Sequence, residues 1–101
     1  IELIHSDDNR IRANAIKAMM GMDLATARSS LHEMLGDRSP DHRISALWVV
    51  EQINWFKTAV LVIRLAREDA DPKVRRRALQ TLEGLRDAWR TLQPVGGAVG
   101  A

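Results

Sequence analysis

Any chemistry in this chain has to come from its three histidines, thirteen carboxylates and a few serines, because it contains no cysteine. The lack of cysteine excludes thiol nucleophiles, cysteine-ligated zinc and a disulfide framework. His32-Glu33 sets a histidine beside a carboxylate, but apolar Met34 and Leu35 follow it directly. Its simpler reading is a solvated helix face. In His5-Ser6-Asp7-Asp8 the oxygen-bearing side chains suit a metal, yet Asp and Ser just ahead of a helix also accept bonds from its free N–H groups. His42 stands far from both groups in sequence. No serine is paired with a base at an informative spacing: Ser29-Ser30, Ser39 and Ser45 read as ordinary helix and turn residues. There is no Gly-rich phosphate loop and no Walker-type lysine. The expectation is therefore no catalysis, no cofactor and no metal.

Binding chemistry is better represented. Lys73-x-Arg75-Arg76-Arg77, with Arg64, Arg67, Arg86 and Arg90, is the one basic concentration. On a helix Arg76 projects away from Val74 and Ala78, with Lys73 and Arg77 beside it, an arrangement suited to the phosphates of a nucleic acid or a lipid headgroup. Glu68, Asp69, Asp71, Glu83 and Asp87 interleave with these cations and neutralise much of the patch. The net charge is +2, and by half it runs from −1 over residues 1–50 to +3 over residues 51–101. That tilt is small for a committed nucleic-acid binder. Nucleic-acid or phosphate binding through Lys73, Arg76 and Arg77 is accordingly the alternative reading, and protein binding is the favoured one.

The elements that must position these groups repeat. Ile11-Arg12-x-x-Ala15-Ile16 returns as His42-Arg43-x-x-Ala46-Leu47 and as Val74-Arg75-x-x-Ala78-Leu79, so the arginines recur after 31 and then 32 residues. Each block follows a polar turn: Ser6-Asp7-Asp8-Asn9, Asp37-Arg38-Ser39-Pro40-Asp41 and Asp69-Ala70-Asp71-Pro72. Ile11, Ala15, Ala18, Met19 and Met22 share one face of a helix. Leu24, Ala27, Leu31, Met34 and Leu35 form a second stripe, and Trp55, Ala59, Val62, Ile63 and Ala66 a third. The spacing predicts helices near 9–21, 24–36, 40–53, 55–68 and 72–91, with Asp23 and Asn54 as N-caps and Pro40 and Pro72 in first turns. Nothing alternates as a strand does. Ile1–His5 reads as the end of a further helix, and a chain opening on Ile1 inside an apolar run is expected to be a segment of something longer. The expected division is a helical repeat domain over residues 1–92 and a flexible Gly-rich tail over 93–101. With 46% hydrophobic and 28% charged residues, the composition is too apolar for disorder and too broken by charge for membrane insertion. A cytoplasmic location is expected.

A helix pair recurring at this interval, with an Asp/Pro turn before [Val/Ile]-Arg-x-x-Ala, resembles HEAT repeats, most of all the short type of phycobilisome lyases. The resemblance covers about residues 3–86. It rests best on Asp69-x-Asp71-Pro72-x-Val74-Arg75-x-x-Ala78-Leu79, departs at His42, and lacks the proline in the first copy. It implies an all-α fold, a right-handed α-α superhelix of about two and a half to three helix-pair repeats. His32-Glu33 is similar to the His-Glu pairs of HEAT-repeat iron hydroxylases, which need several such pairs where this chain has one. Arg12, Arg43 and Arg75 are expected to bridge acidic turns from repeat to repeat.

The middle repeat is anomalous. Ile44 stands where Ala13 and Arg76 stand, and Trp48 where Lys17 and Gln80 stand. Phe56, Val60, Leu61 and Ile63 likewise replace Ala25, Ser29, Ser30 and His32. Surplus apolar surface on a short solenoid marks a contact. The expected protein-binding residues are Ile44, Trp48, Phe56, Val60 and Ile63. They would meet a protein partner, the rest of a parent chain or a second copy in a homodimer, in a scaffolding or regulatory role. Trp89 is expected to cover the last repeat.

Overall fold

A computed structural model describes residues 2–93 of the chain. The Gly-rich tail expected over 93–101 lies, apart from Gln93, outside the described residues, as does Ile1. A 3-10 turn, Glu2–His5, stands where the end of a helix was expected. It is followed by α1 (Asn9–Met19), α2 (Leu24–Leu35), α3 (Pro40–Gln52), α4 (Ala59–Glu68) and α5 (Pro72–Leu92), with a second 3-10 turn, Phe56–Thr58, leading into α4. Among the described residues there is no strand.

The starts of the helices follow from side-chain chemistry. The Asp8 carboxylate accepts from the N–H groups of Arg10 and Ile11 at 2.9 and 3.1 Å. Asp23 accepts from the Thr26 N–H and hydroxyl, and Asp71 from the Lys73 N–H. Pro40 and Pro72 open α3 and α5, where the missing N–H has no partner to lose. Asn54 departs from its expected role. It closes α3 instead of capping α4, with φ at +52°. The Trp55 N–H reaches the Val50 carbonyl and the Asn54 N–H reaches that of Glu51, the paired bonds of a left-handed helix stop. Asparagine tolerates that backbone region better than other non-glycine residues. The 3-10 turn then intervenes, so α4 begins at Ala59 rather than near residue 55.

The first helices of the three blocks lie side by side, α1 against α3 and α3 against α5, while α2 packs on α1 and α3 and α4 packs along α5. The result is a slab 48 × 33 × 16 Å in extent. Ile16, Leu31, Met34, Leu47, Val50, Val62 and Val74 are fully buried in one continuous core, as are Ala46 and Ala78 at close helix contacts. Gly84 lets α5 approach α3: a Cβ there would fall 2.6 Å from the Glu51 carboxylate. In α1 the expected stripe is not the buried one, since Ile11 is 46% and Met22 82% exposed. Arg12, Ala13 and Ile16 are buried in their place. Of the equivalents of Ile11, Ala15 and Ala18, His42 on α3 bonds Arg12 of α1, and Thr81 on α5 bonds the Leu47 carbonyl of α3, each reaching the block before. Among the described residues α1 has no such block before it.

The arginine ladder is present. Arg12 donates to Asp37 at 2.8 Å and to the Ile4 carbonyl at 3.2 Å. Arg43 grips both oxygens of Asp69, at 2.8 and 2.9 Å, and donates to the carbonyls of Asp37 and Arg38. The Ser39 N–H, together with Arg12, holds the Asp37 carboxyl below its ordinary value. His42, the odd residue of its repeat, is buried in this ladder. Its Nε2–H donates to the Asp7 carbonyl at 2.8 Å, which leaves Nδ1 to accept from Arg12 at 3.1 Å. A valine there could make neither bond.

Candidate interaction surface

The 3-10 entry into α4 decides where the surplus apolar residues point. Phe56 turns toward the far half of α5 and meets Trp89 edge-to-face, with ring centroids 5.2 Å apart and planes at 79°. That pair frames a groove of about 720 Å³ lined by Ala59, Leu82 and Leu85, with Lys57 and Arg86 as its charged members. Trp89, expected to cover the last repeat, reaches Phe56 ahead of α4 and stays 53% exposed. Val60 and Ile63 occupy a different side of α4, 72% and 43% exposed, beside Arg64, Arg67 and Glu68. The structure therefore does not gather Phe56, Val60 and Ile63 into one patch. A regular helix from residue 55 would have aligned them, and the 3-10 turn rotates Phe56 away.

Ile44 and Trp48 are half-buried and pack against the core. Trp48 lies beside Ala13, Asn14 and Ser45, and the Lys17 ammonium sits 5.2 Å from its ring centre. Much of the surplus in the middle repeat is thus absorbed within the molecule, where a tryptophan beside a lysine gains cation–π attraction. The basic segment divides as well. Arg77 pairs with Glu51 at 2.9 Å and bonds Gln80, and Arg75 donates to the Asp69 carbonyl at 2.6 Å. Lys73 and Arg76 are exposed. His32 and Glu33 lie on the exposed side of α2. Among the described residues no three histidine or carboxylate side chains cluster as a metal site would require. Nor is any helix there long and apolar enough to cross a membrane.

The stacked helix pairs and the arginine-to-turn ladder define a helical-repeat protein. The chain belongs to the HEAT repeat family, whose model matches residues 1–83. The match does not separate the short phycobilisome-lyase type from HEAT repeats at large. No curated protein and no solved structure shows significant similarity to the chain. HEAT repeats are in general interaction and scaffolding units rather than catalysts.

Sequence reasoning missed the Phe56–Trp89 pairing, because the two residues are 33 positions apart and on different repeats. The surplus of Phe56 over Ala25 was the available signal for one partner. The exposure of Trp89 required knowing what α5 leaves uncovered.

Proposed function

We propose that the chain is a cytoplasmic, non-catalytic protein-interaction module with a scaffolding or regulatory role, and that it docks its partner on the open side of α4 and α5. The observation that supports this reading is the apolar groove under Phe56 and Trp89. An apolar groove between two helices accepts the apolar face of a third, and a half-exposed tryptophan is a frequent anchor of such contacts. Lys57 and Arg86 beside the groove favour a partner helix with acidic flanks. Val60 and Ile63 add apolar surface on another side of α4.

Selection of displayed helical peptides against the full chain tests it. Bound peptides are expected to carry apolar residues at i, i+3 or i+4, and i+7, with acidic neighbours. Trp89→Ala should weaken them by at least about tenfold, as truncation of an interface anchor does. Peptides that bind parent and variant equally, or no selected peptides at all, would refute the reading.

The alternative is phosphate or nucleic-acid binding, which the exposed Lys73 and Arg76 favour and the paired Arg77 opposes. If protein docking is the role, retention of the parent on single- or double-stranded DNA or RNA at low salt stays near zero and Arg76→Glu changes nothing. Parent binding in the micromolar range that Arg76→Glu abolishes would instead establish the alternative.

A further inference from the structure

The second helices of two consecutive blocks, α2 and α4, each rest on a first helix and scarcely touch one another. A recess of about 320 Å³ lies between them. Its walls are His32 of α2, Trp55 and Lys57 of the segment entering α4, and Val60, Leu61 and Arg64 at the start of α4. Neither α1 nor α5 contributes a wall. Lys57 stands between this recess and the groove of Phe56 and Trp89, and borders both.

The floor of the recess is apolar. Trp55 and Leu61 are half-buried against the core, and Val60 is 72% exposed. Val60 and Leu61 stand where α2 carries Ser29 and Ser30, so part of the apolar surplus noted in the sequence gathers here. The rim is cationic. Exposed Lys57 and Arg64 line it, and exposed Arg28, one turn before His32 on α2, holds its guanidinium 5.8 Å from the centre of the Trp55 ring. His32 adds an N–H donor. Among the described residues no carboxylate lines the recess. Glu68 comes within 4.0 Å of Arg64, but the two side chains are 71% and 67% exposed, and a pair so exposed yields readily to a better partner. An adjoining hollow shares Val60 and Arg64 and adds Ile63 and Arg67, so the same pattern of apolar floor and basic rim continues along α4.

We propose that the recess between α2 and α4 binds a short acidic segment of a protein partner, with carboxylates on Arg28 and Arg64 and an aliphatic or aromatic side chain between them on Val60 and Leu61. A guanidinium presents a planar fork of donors that matches a carboxylate, and two such forks on opposite walls fix the segment across the recess. Nucleic acid fits less well. Single strands bind by stacking bases on open aromatic faces. Here the one ring in the recess, Trp55, is packed against the core and already covered by Arg28. A phosphodiester backbone also has nothing apolar to set on Val60 and Leu61. This site is separate from the groove between α4 and α5, so either can fail without the other.

Selection of displayed random peptides against the full chain carrying Trp89→Ala, which lacks the anchor of the other groove, tests this. Bound peptides should carry carboxylates on both sides of an aliphatic or aromatic residue, and their affinity should fall as salt rises, since exposed charges are screened. Adding Arg28→Glu/Arg64→Glu should weaken them by at least about tenfold, because it sets like charges against each other. Adding Arg86→Glu, at the other groove, should leave their affinity unchanged. All three arginines are exposed, and circular dichroism checks that each variant keeps its helices. A selection that yields no acidic peptides overturns the proposal, as do acidic peptides that bind the Arg28→Glu/Arg64→Glu chain equally well. A single-stranded oligothymidylate that binds more tightly than the peptides, and is lost with the same two substitutions, overturns it in favour of nucleic acid. Peptides that bind the parent through Trp89 while none bind Trp89→Ala remove this site and leave the α4–α5 docking reading in place. Peptides lost with Arg28→Glu/Arg64→Glu but indifferent to Trp89→Ala establish this site and remove that reading.

Discussion

Ala46→Arg is expected to abolish the cooperative fold. Ala46 is 0% exposed and lies on α3, the helix that packs on α1, α2 and α5 at once. Its methyl group sets how closely these helices approach. An arginine there forces apart packed surfaces that have little slack. It also buries a guanidinium with no carboxylate to pair with, a cost of several kcal/mol. The two effects together exceed the roughly 4–5 kcal/mol that marks exceptional single substitutions. A small domain holds only about 5–15 kcal/mol in total, so most of the variant should be unfolded at room temperature. Thermal and urea unfolding followed by circular dichroism reads this directly. Ala18→Arg, at an exposed position of α1, is the control and should melt close to the parent. An Ala46→Arg variant that melts with the parent would show that the blocks are wrongly aligned.

The alignment was legible because the repeat imposes the same contact at every step. A small residue three positions after each arginine is a requirement of helix approach, and an arginine before each small residue is a requirement of the acidic turns. Both leave identical residue types at fixed intervals, so Ala46, Ala78 and the ladder of Arg12 and Arg43 could be read without coordinates. What could not be read depends on exceptions to that regularity. His42 looked like a defect in a position of Val or Ile, because only the folded chain brings the Asp7 carbonyl and Arg12 to the two sides of its ring. Asn54 carries the side chain of an N-cap and sits in the backbone conformation of a helix stop, a choice the sequence leaves open. The 3-10 turn after it separated Phe56 from Val60 and Ile63, which helical periodicity had placed together. Ile11 and Met22 fall on one apolar face of a helix, but periodicity reports which side of a helix is apolar and not whether anything covers it. The same ambiguity hides Leu79, which is 53% exposed although its equivalent in α3, Leu47, is fully buried.

Asp69→Ala is expected to cost about 3–5 kcal/mol, the usual penalty for removing one partner of a buried ion pair. The side chains of Arg43 and Asp69 are 13% and 5% exposed, and two parallel bonds join them. Without the carboxylate, Arg43 keeps only the carbonyls of Asp37 and Arg38, and its charge remains buried. The Asp71 N–H loses its acceptor as well, at the start of α5. The equivalent Asp37→Ala should cost less, because one bond joins Asp37 to Arg12 where two join Asp69 to Arg43, and Arg12 keeps the Ile4 carbonyl and His42 Nδ1. Replacing both partners, as in Arg43→Met/Asp69→Leu, should cost less than Asp69→Ala alone, since no charge is then left stranded. Urea unfolding of the three variants orders them: the midpoint falls furthest for Asp69→Ala, while the dependence on urea stays that of the parent because the same surface is exposed on unfolding. If Asp69→Ala and Asp37→Ala lowered the midpoint equally, or Asp69→Ala cost under about 1 kcal/mol as an exposed pair would, the ladder would be surface decoration. The repeats would then be held together by the apolar contacts of Leu47, Val74 and Ala78 alone.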